Sequence, residues 1–104
     1  MARYNEKRVS YKIQDRLMDM FCDILCGLKT QKAVSDFLKD LLNRQERAML
    51  IRRLLIAEKL LDGYTYREIV AELRCGMPTI ARVDRWVHFG RNGYKRAVDT
   101  KRKK

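Results

Sequence analysis

Residues 63–89 read GYTYREIVAELRCGMPTIARVDRWVHF, and this stretch decides the fold. Thr65 followed three residues later by Glu68 is a capping box, in which hydroxyl and carboxylate each accept from a backbone N–H that has no partner inside the helix, so a helix is expected to start here. Ile69 and Leu73, four apart, share one apolar face. Arg74-Cys75-Gly76 breaks the pattern, and Gly76 is expected to supply the positive φ of a sharp turn. A second helix follows at once, with Pro78 suited to its first position and Ile80, Val83 and Val87 spaced as its inner face. Two short helices joined by a tight turn, at about residues 65–89, form a helix-turn-helix of the DNA-binding kind.

What the second helix leaves outside is Pro78, Ala81, Arg82 and Arg85. A helix entering the major groove needs small residues where it approaches the bases, and guanidinium groups for guanine edges and phosphates. Pro78, Thr79, Ala81, Arg82 and Arg85 supply both. The same pattern also suits a plain helical hairpin with a solvated polar face, and spacing alone leaves both readings open.

Toward the N-terminus, Ile13, Leu17, Met20, Phe21, Ile24, Leu25 and Leu28 recur at three- and four-residue steps, predicting a helix from Tyr11 that ends near Gly27 and Lys29-Thr30. Its apolar stripe is wide for so small a chain and reads as a surface for a partner. Thr30 can cap a second helix with Ala33, Val34, Phe37, Leu38, Leu41 and Leu42 on its buried face. Asn43 and Glu46 form another cap-like start for a third helix over residues 44–61, stopped by Asp62-Gly63 and carrying Arg44, Arg47, Arg52 and Arg53 as a basic stripe. Beyond the helix-turn-helix, Gly90 and Asn92-Gly93 break the chain, and residues 94–98 add a short helical turn. Residues 1–10 are expected to be a mobile basic arm, and residues 99–104 a charged tail that does not fold, serving either as a tether to phosphate without sequence preference or as a solvated end with no role. With no alternating β-branched runs, the expectation is all-α, five or six helices in a single domain over residues 11–98.

Composition narrows the function. The 104 residues carry 24 Lys and Arg against 13 Asp and Glu, a net charge of +11. Ten of the basic residues, against two acidic ones, lie from Arg74 onward, so the helix-turn-helix half holds most of the positive field and is suited to a polyanion. No apolar run is long enough to span a membrane, and the second helix lacks the broad apolar face of an interfacial anchor. MARYNEKRVSYK has no apolar signal core, so a cytoplasmic location is expected. Three cysteines fit a reducing compartment, with Cys22 and Cys26 expected on a packed apolar surface. The single histidine, His88, has no cysteine or carboxylate beside it at ligand spacing, so neither metal nor cofactor is expected. No nucleophile–His pairing or phosphate loop is visible, which argues against an enzyme. The remaining rival is a helical adaptor dimer whose basic face binds an acidic protein.

The order of an apolar first helix, LLNRQERAMLIRRLLIAEKLLDG, YTYREIVAEL, RCG and MPTIARV resembles the Trp repressor superfamily over roughly residues 12–98. The closing Phe89-Gly90-x-x-Gly93-Tyr94 is similar to its YerC/YecD-type branch. The resemblance implies an intertwined all-helical homodimer that presents two recognition helices to successive major grooves of double-stranded DNA, about 34 Å apart, and acts as a repressor of transcription.

Carried over position by position, the DNA contacts implied are Arg67 on the first helix of the motif, and Met77, Pro78, Thr79 and Ala81 at the start of the second. Arg74 and Arg85 are added by helix geometry and charge, and Arg82 belongs to the effector pocket by family pattern while its spacing lets it reach a phosphate. Arg53 and Arg82 fall on the two arginine positions that hold tryptophan in the Trp repressor. The small residues that make room for the indole are replaced by Val83 and Trp86, so Arg53, Arg82, Val83 and Trp86 are expected to form a vestigial effector pocket filled from within, or Trp86 to pack in the core or at the domain edge. Either way, no tryptophan corepressor is expected.

Overall fold

The computed structural model describes residues 10–103, all helical between short connections. Six helices follow one another: α1 (Tyr11–Leu28), α2 (Gln31–Leu41), α3 (Arg44–Leu61), α4 (Tyr66–Leu73), α5 (Met77–Phe89) and α6 (Gly93–Arg102). The expected basic arm lies, but for Ser10, outside the described residues, and Ser10 itself caps α1, its Oγ accepting from the Ile13 N–H at 3.3 Å.

The chain divides into two compact units with the boundary between Leu41 and Leu42. In the first, α1 packs along α2 through Phe21 and Phe37, whose ring centroids lie 6.1 Å apart. Thr30 Oγ1 accepts from the Ala33 N–H at 3.1 Å and so opens α2 as expected. Neither helix contains a buried residue. Ile13, Leu17, Met20 and Ile24 remain about half exposed along one face of α1, an apolar stripe left open. Cys22 and Cys26 are exposed, contrary to expectation, because at 100° per residue they fall on the face opposite the apolar stripe, to either side of Asp15.

The second unit holds the core. Ile56 and Ala57 of α3, Ile69 of α4, and Ile80, Val83 and Val87 of α5 are buried together with Cys75, and Leu60, Leu61, Tyr64, Tyr66, Val70, Leu73 and Tyr94 close around them. Both anticipated capping boxes form. Asn43 Oδ1 accepts from the Glu46 N–H at 2.9 Å and Glu46 returns the contact to Asn43 N–H, while Thr65 and Glu68 do the same at 3.2 and 3.0 Å. Across the helices, Lys59 pairs with Glu72 at 2.8 Å and lies 4.5 Å over the Tyr64 ring, fastening α4 to α3.

The Thr65 box starts the first helix of the motif, so Thr65→Ala is expected to lower stability by about 1 kcal/mol, about 4–8 °C in thermal midpoint for a domain of this size. The Thr65 backbone N–H and hydroxyl, bonded to the Glu68 carboxylate, hold its pKa below the ordinary 4.5. That contribution is therefore complete above the ordinary value and lost as pH falls through the lowered one. Stability followed by circular dichroism should depend less on pH across the acid range in Glu68→Gln, which has no carboxylate to protonate.

The C-terminal segment departs from expectation. Instead of an unfolded tail after Val98, α6 continues through Arg102. Two carboxylates near the end of α3 receive its charge: Lys101 Nζ donates to Glu58 at 2.8 Å and Arg102 pairs with Asp62, while Val98 is buried. Neutralisation of these two side chains removes the self-repulsion that argued against folding, and occupies two of the cations assigned to a phosphate tether.

Candidate nucleic-acid interface

The turn between α4 and α5 differs from expectation in which residue bends. Gly76 has φ −82° and ψ 150°, extended backbone open to any residue, and a Cβ there would meet Pro78 Cδ at an ordinary 3.5 Å. The left-handed residue is Arg74, at φ 53° and ψ 41°, which closes α4 by donating its N–H to the Val70 carbonyl at 2.8 Å. The reversal belongs to the C-cap of α4, and Gly76 instead serves as N-cap of α5 without a side-chain hydrogen bond. A non-glycine residue in this region is disfavoured by about 1–2 kcal/mol.

With Ile80, Val83 and Val87 facing the core, the opposite face of α5 is open. Pro78, Ala81, Arg82 and Arg85 are all exposed there, and Met77 and the α4 residue Arg67 are exposed beside them; Thr79 is half-buried on the flank. The same outer arc continues to Phe89, 81% exposed, which the sequence reading did not assign. A conspicuous aromatic at the last position of a helix whose outer face is otherwise small or cationic was the available signal. Gly90 then ends α5, since any Cβ at this position would collide with the Trp86 carbonyl.

The pitch of α5 against α4 is set by a bond the sequence did not disclose. Tyr66 Oη donates to Asp84 Oδ2 at 2.6 Å, and this contact is the main reason the Tyr66 phenol is held above its ordinary pKa. Asp84 Oδ1 also meets His88 Nδ1 at 3.0 Å. The one acidic residue of α5 is thus turned to the flank and paired, leaving the outer face without a carboxylate.

The four residues expected to form a vestigial effector pocket are not brought together. Val83 is in the core, 1% exposed, and Arg82 is on the outer face. Trp86 is 49% exposed, with the Arg85 guanidinium 5.9 Å over its ring, and borders a shallow cavity of 440 Å³ with Leu54, Tyr94 and Ala97. Arg53 borders a different cleft, of 190 Å³, with Met49, Arg52, Arg74, Cys75, Gly76 and Thr79. The helical repeat explains the separation: Thr79 and Trp86 share one flank of α5 two turns apart, Val83 points inward and Arg82 outward. Trp86 therefore sits at the domain edge. Met49, Arg52 and Cys75 were missed as cleft residues, because the approach of α3 to a turn more than twenty residues later leaves no periodic signal.

Among the described residues, no cluster of His, Cys, Asp or Glu could hold a metal ion, and no helix is long and apolar enough to cross a membrane.

Known proteins share this architecture. A protein from Staphylococcus aureus, proposed to be a Trp repressor, has a crystal structure that superposes with a TM-score of 0.72 at 26% identity over 96% of both chains. A TrpR-like protein from Eubacterium eligens ATCC 27750 gives 0.68 at 25% identity, over 92% of this chain and 94% of that one. In sequence, the uncharacterized protein YerC of Bacillus subtilis (strain 168) is 31% identical over 88 residues, 85% of each chain. The family described as Trp repressor protein matches residues 16–102. The chain, with its six helices, its α4–turn–α5 motif and this match, belongs to the Trp repressor family.

Proposed function

We propose that the protein is a sequence-specific, double-stranded-DNA-binding transcriptional repressor, acting as a cytoplasmic homodimer with α5 in the major groove and without tryptophan. The observation that carries this reading is the division of α5 into a fully inward apolar face and an outer face of Pro78, Ala81, Arg82 and Arg85 with no carboxylate. Small residues allow close approach to base edges, Arg82 and Arg85 reach guanine or phosphate, and Met77 and Thr79 border the same approach. Arg67 and Arg74 flank the motif as phosphate contacts. The homodimer is supported by the open apolar faces: Ile13, Leu17, Met20 and Ile24 on α1, and Leu50 and Ile51 on α3, are too many exposed large side chains for a chain of this size.

Replacing Arg67 with Ala removes one exposed cation and no core contact. Affinity for duplex DNA is expected to fall similarly for all sequences, with the slope of log affinity against log salt reduced by about one. Unchanged affinity and slope, measured by fluorescence anisotropy across a salt series, would contradict the docking.

Tryptophan independence is supported by the placement of Arg53 and Trp86 on different clefts and of Val83 in the core. Neither equilibrium dialysis nor calorimetry should find saturable tryptophan binding, and duplex affinity should not move when tryptophan is added.

A further inference from the structure

The 190 Å³ cleft between α3 and the α4–α5 turn is lined by three arginines, Arg52, Arg53 and Arg74, together with Thr79. Among the described residues no carboxylate pairs with any of the three: the acidic partners in this unit are engaged with Lys59, His88, Lys101 and Arg102. Three unpaired cations around one small opening repel one another unless an anion joins them. Arg74 contributes its charge from a backbone conformation that glycine would adopt with less strain, and Gly76, at the cleft wall, caps α5 without a side-chain hydrogen bond.

The lining also defines what the anion is. No acidic residue borders the cleft, so an amino acid's ammonium group would find no partner there. At 190 Å³ the space is below the roughly 300–1,000 Å³ of pockets that enclose whole drug-sized ligands, which limits occupancy to a compact group. Guanidinium forks match the oxygens of phosphate bidentately. Only Arg53 is shared with the expected tryptophan-type pocket.

We propose that this cleft is a phosphate seat, in which Arg52, Arg53 and Arg74 hold a tetrahedral dianion with help from the Thr79 hydroxyl. The phosphate group is either that of a small phosphorylated ligand or one on the DNA backbone, and the chemistry of the seat is the same for both.

The test uses the full chain and inorganic phosphate and pyrophosphate as probes, titrated at constant ionic strength against chloride, with binding followed by calorimetry and by the side-chain Nε–H signals of the arginines. Saturable binding is expected, with shifts confined to Arg52, Arg53 and Arg74, and with affinity reduced at least tenfold in Arg52→Ala and in Arg74→Gly. Arg74→Gly gives the turn the residue its left-handed backbone favours, so its fold is retained while its charge is lost. No saturable binding of either probe, or binding that persists unchanged in both variants, would overturn the seat. In a second arm, duplex DNA is titrated in saturating phosphate: competition beyond the ionic-strength effect identifies the DNA backbone as the source, and undiminished duplex binding identifies a free phosphorylated ligand. The first arm contains no DNA, so its failure leaves the DNA-binding proposal standing, and failure of DNA binding leaves the seat standing.

Discussion

Leu17→Asp combined with Ile24→Asp should leave the protein monomeric and reduce its affinity for a two-half-site duplex by at least a hundredfold. The two side chains lie seven residues apart on the open face of α1, 47% and 45% exposed, and neither belongs to the core. A face with four such residues is stabilised when covered by about 1.5–3 kcal/mol per large apolar side chain fully buried, so two carboxylates at its centre both remove that gain and introduce like charges where two copies meet. The loss of DNA affinity is larger than the loss of any single contact. Two linked reading heads bind with an avidity of 10²–10⁴ over one head alone, and a monomer forfeits all of it. The core of the second unit, built on Ile56, Ile69, Ile80, Val83 and Val98, contains neither position, so its helicity should persist in circular dichroism. Sedimentation should report one chain. A dimer of parental affinity in this variant would refute the assembly.

Arg82→Ala and Arg85→Ala are expected to have the largest direct effect on recognition under the proposed docking. Each guanidinium is on the outer face of α5, neither has a carboxylate partner among the described residues, and neither covers the core. A bidentate contact with a base edge contributes about 1–3 kcal/mol of discrimination, so each loss should weaken specific binding by about 5- to 150-fold and relax preference at one or two positions of each half-site. A phosphate contact would instead weaken all sequences alike, so comparing specific with unrelated duplexes assigns each arginine to bases or backbone. Thermal stability should change by no more than about 0.5 kcal/mol, as for other exposed positions. Arg85 lies over the Trp86 ring, and a change in tryptophan fluorescence in Arg85→Ala would report that local contact without bearing on DNA.

Local chemistry explains what was legible in the sequence. The two capping boxes, at Asn43–Glu46 and Thr65–Glu68, are reciprocal bonds between residues three apart, and both form where the residue types put them. The inner face of α5 is a matter of 3.6-residue periodicity, and Ile80, Val83 and Val87 are all buried. The turn was legible as a turn but not in its detail: glycine was given the positive φ, while the backbone assigns it to Arg74, because the C-cap of one helix and the N-cap of the next compete for three residues. The tail was misread because its charges were counted without the carboxylates that meet them, Glu58 and Asp62, some forty residues earlier. The same holds for the Tyr66–Asp84 bond and for the arginine cleft. Each joins side chains from different helices, and a periodic pattern carries no information on which exposed charge of one helix lies beside which of another.

The central claim is that two copies of α5 read a defined DNA sequence without an effector. Selection of bound duplexes from a random pool, at near-physiological salt with non-specific competitor and no added ligand, tests it most directly. The account predicts enrichment of an inverted repeat whose half-sites are centred about one helical turn, ~34 Å, apart. A pool that remains random after repeated rounds, with or without tryptophan, would contradict it.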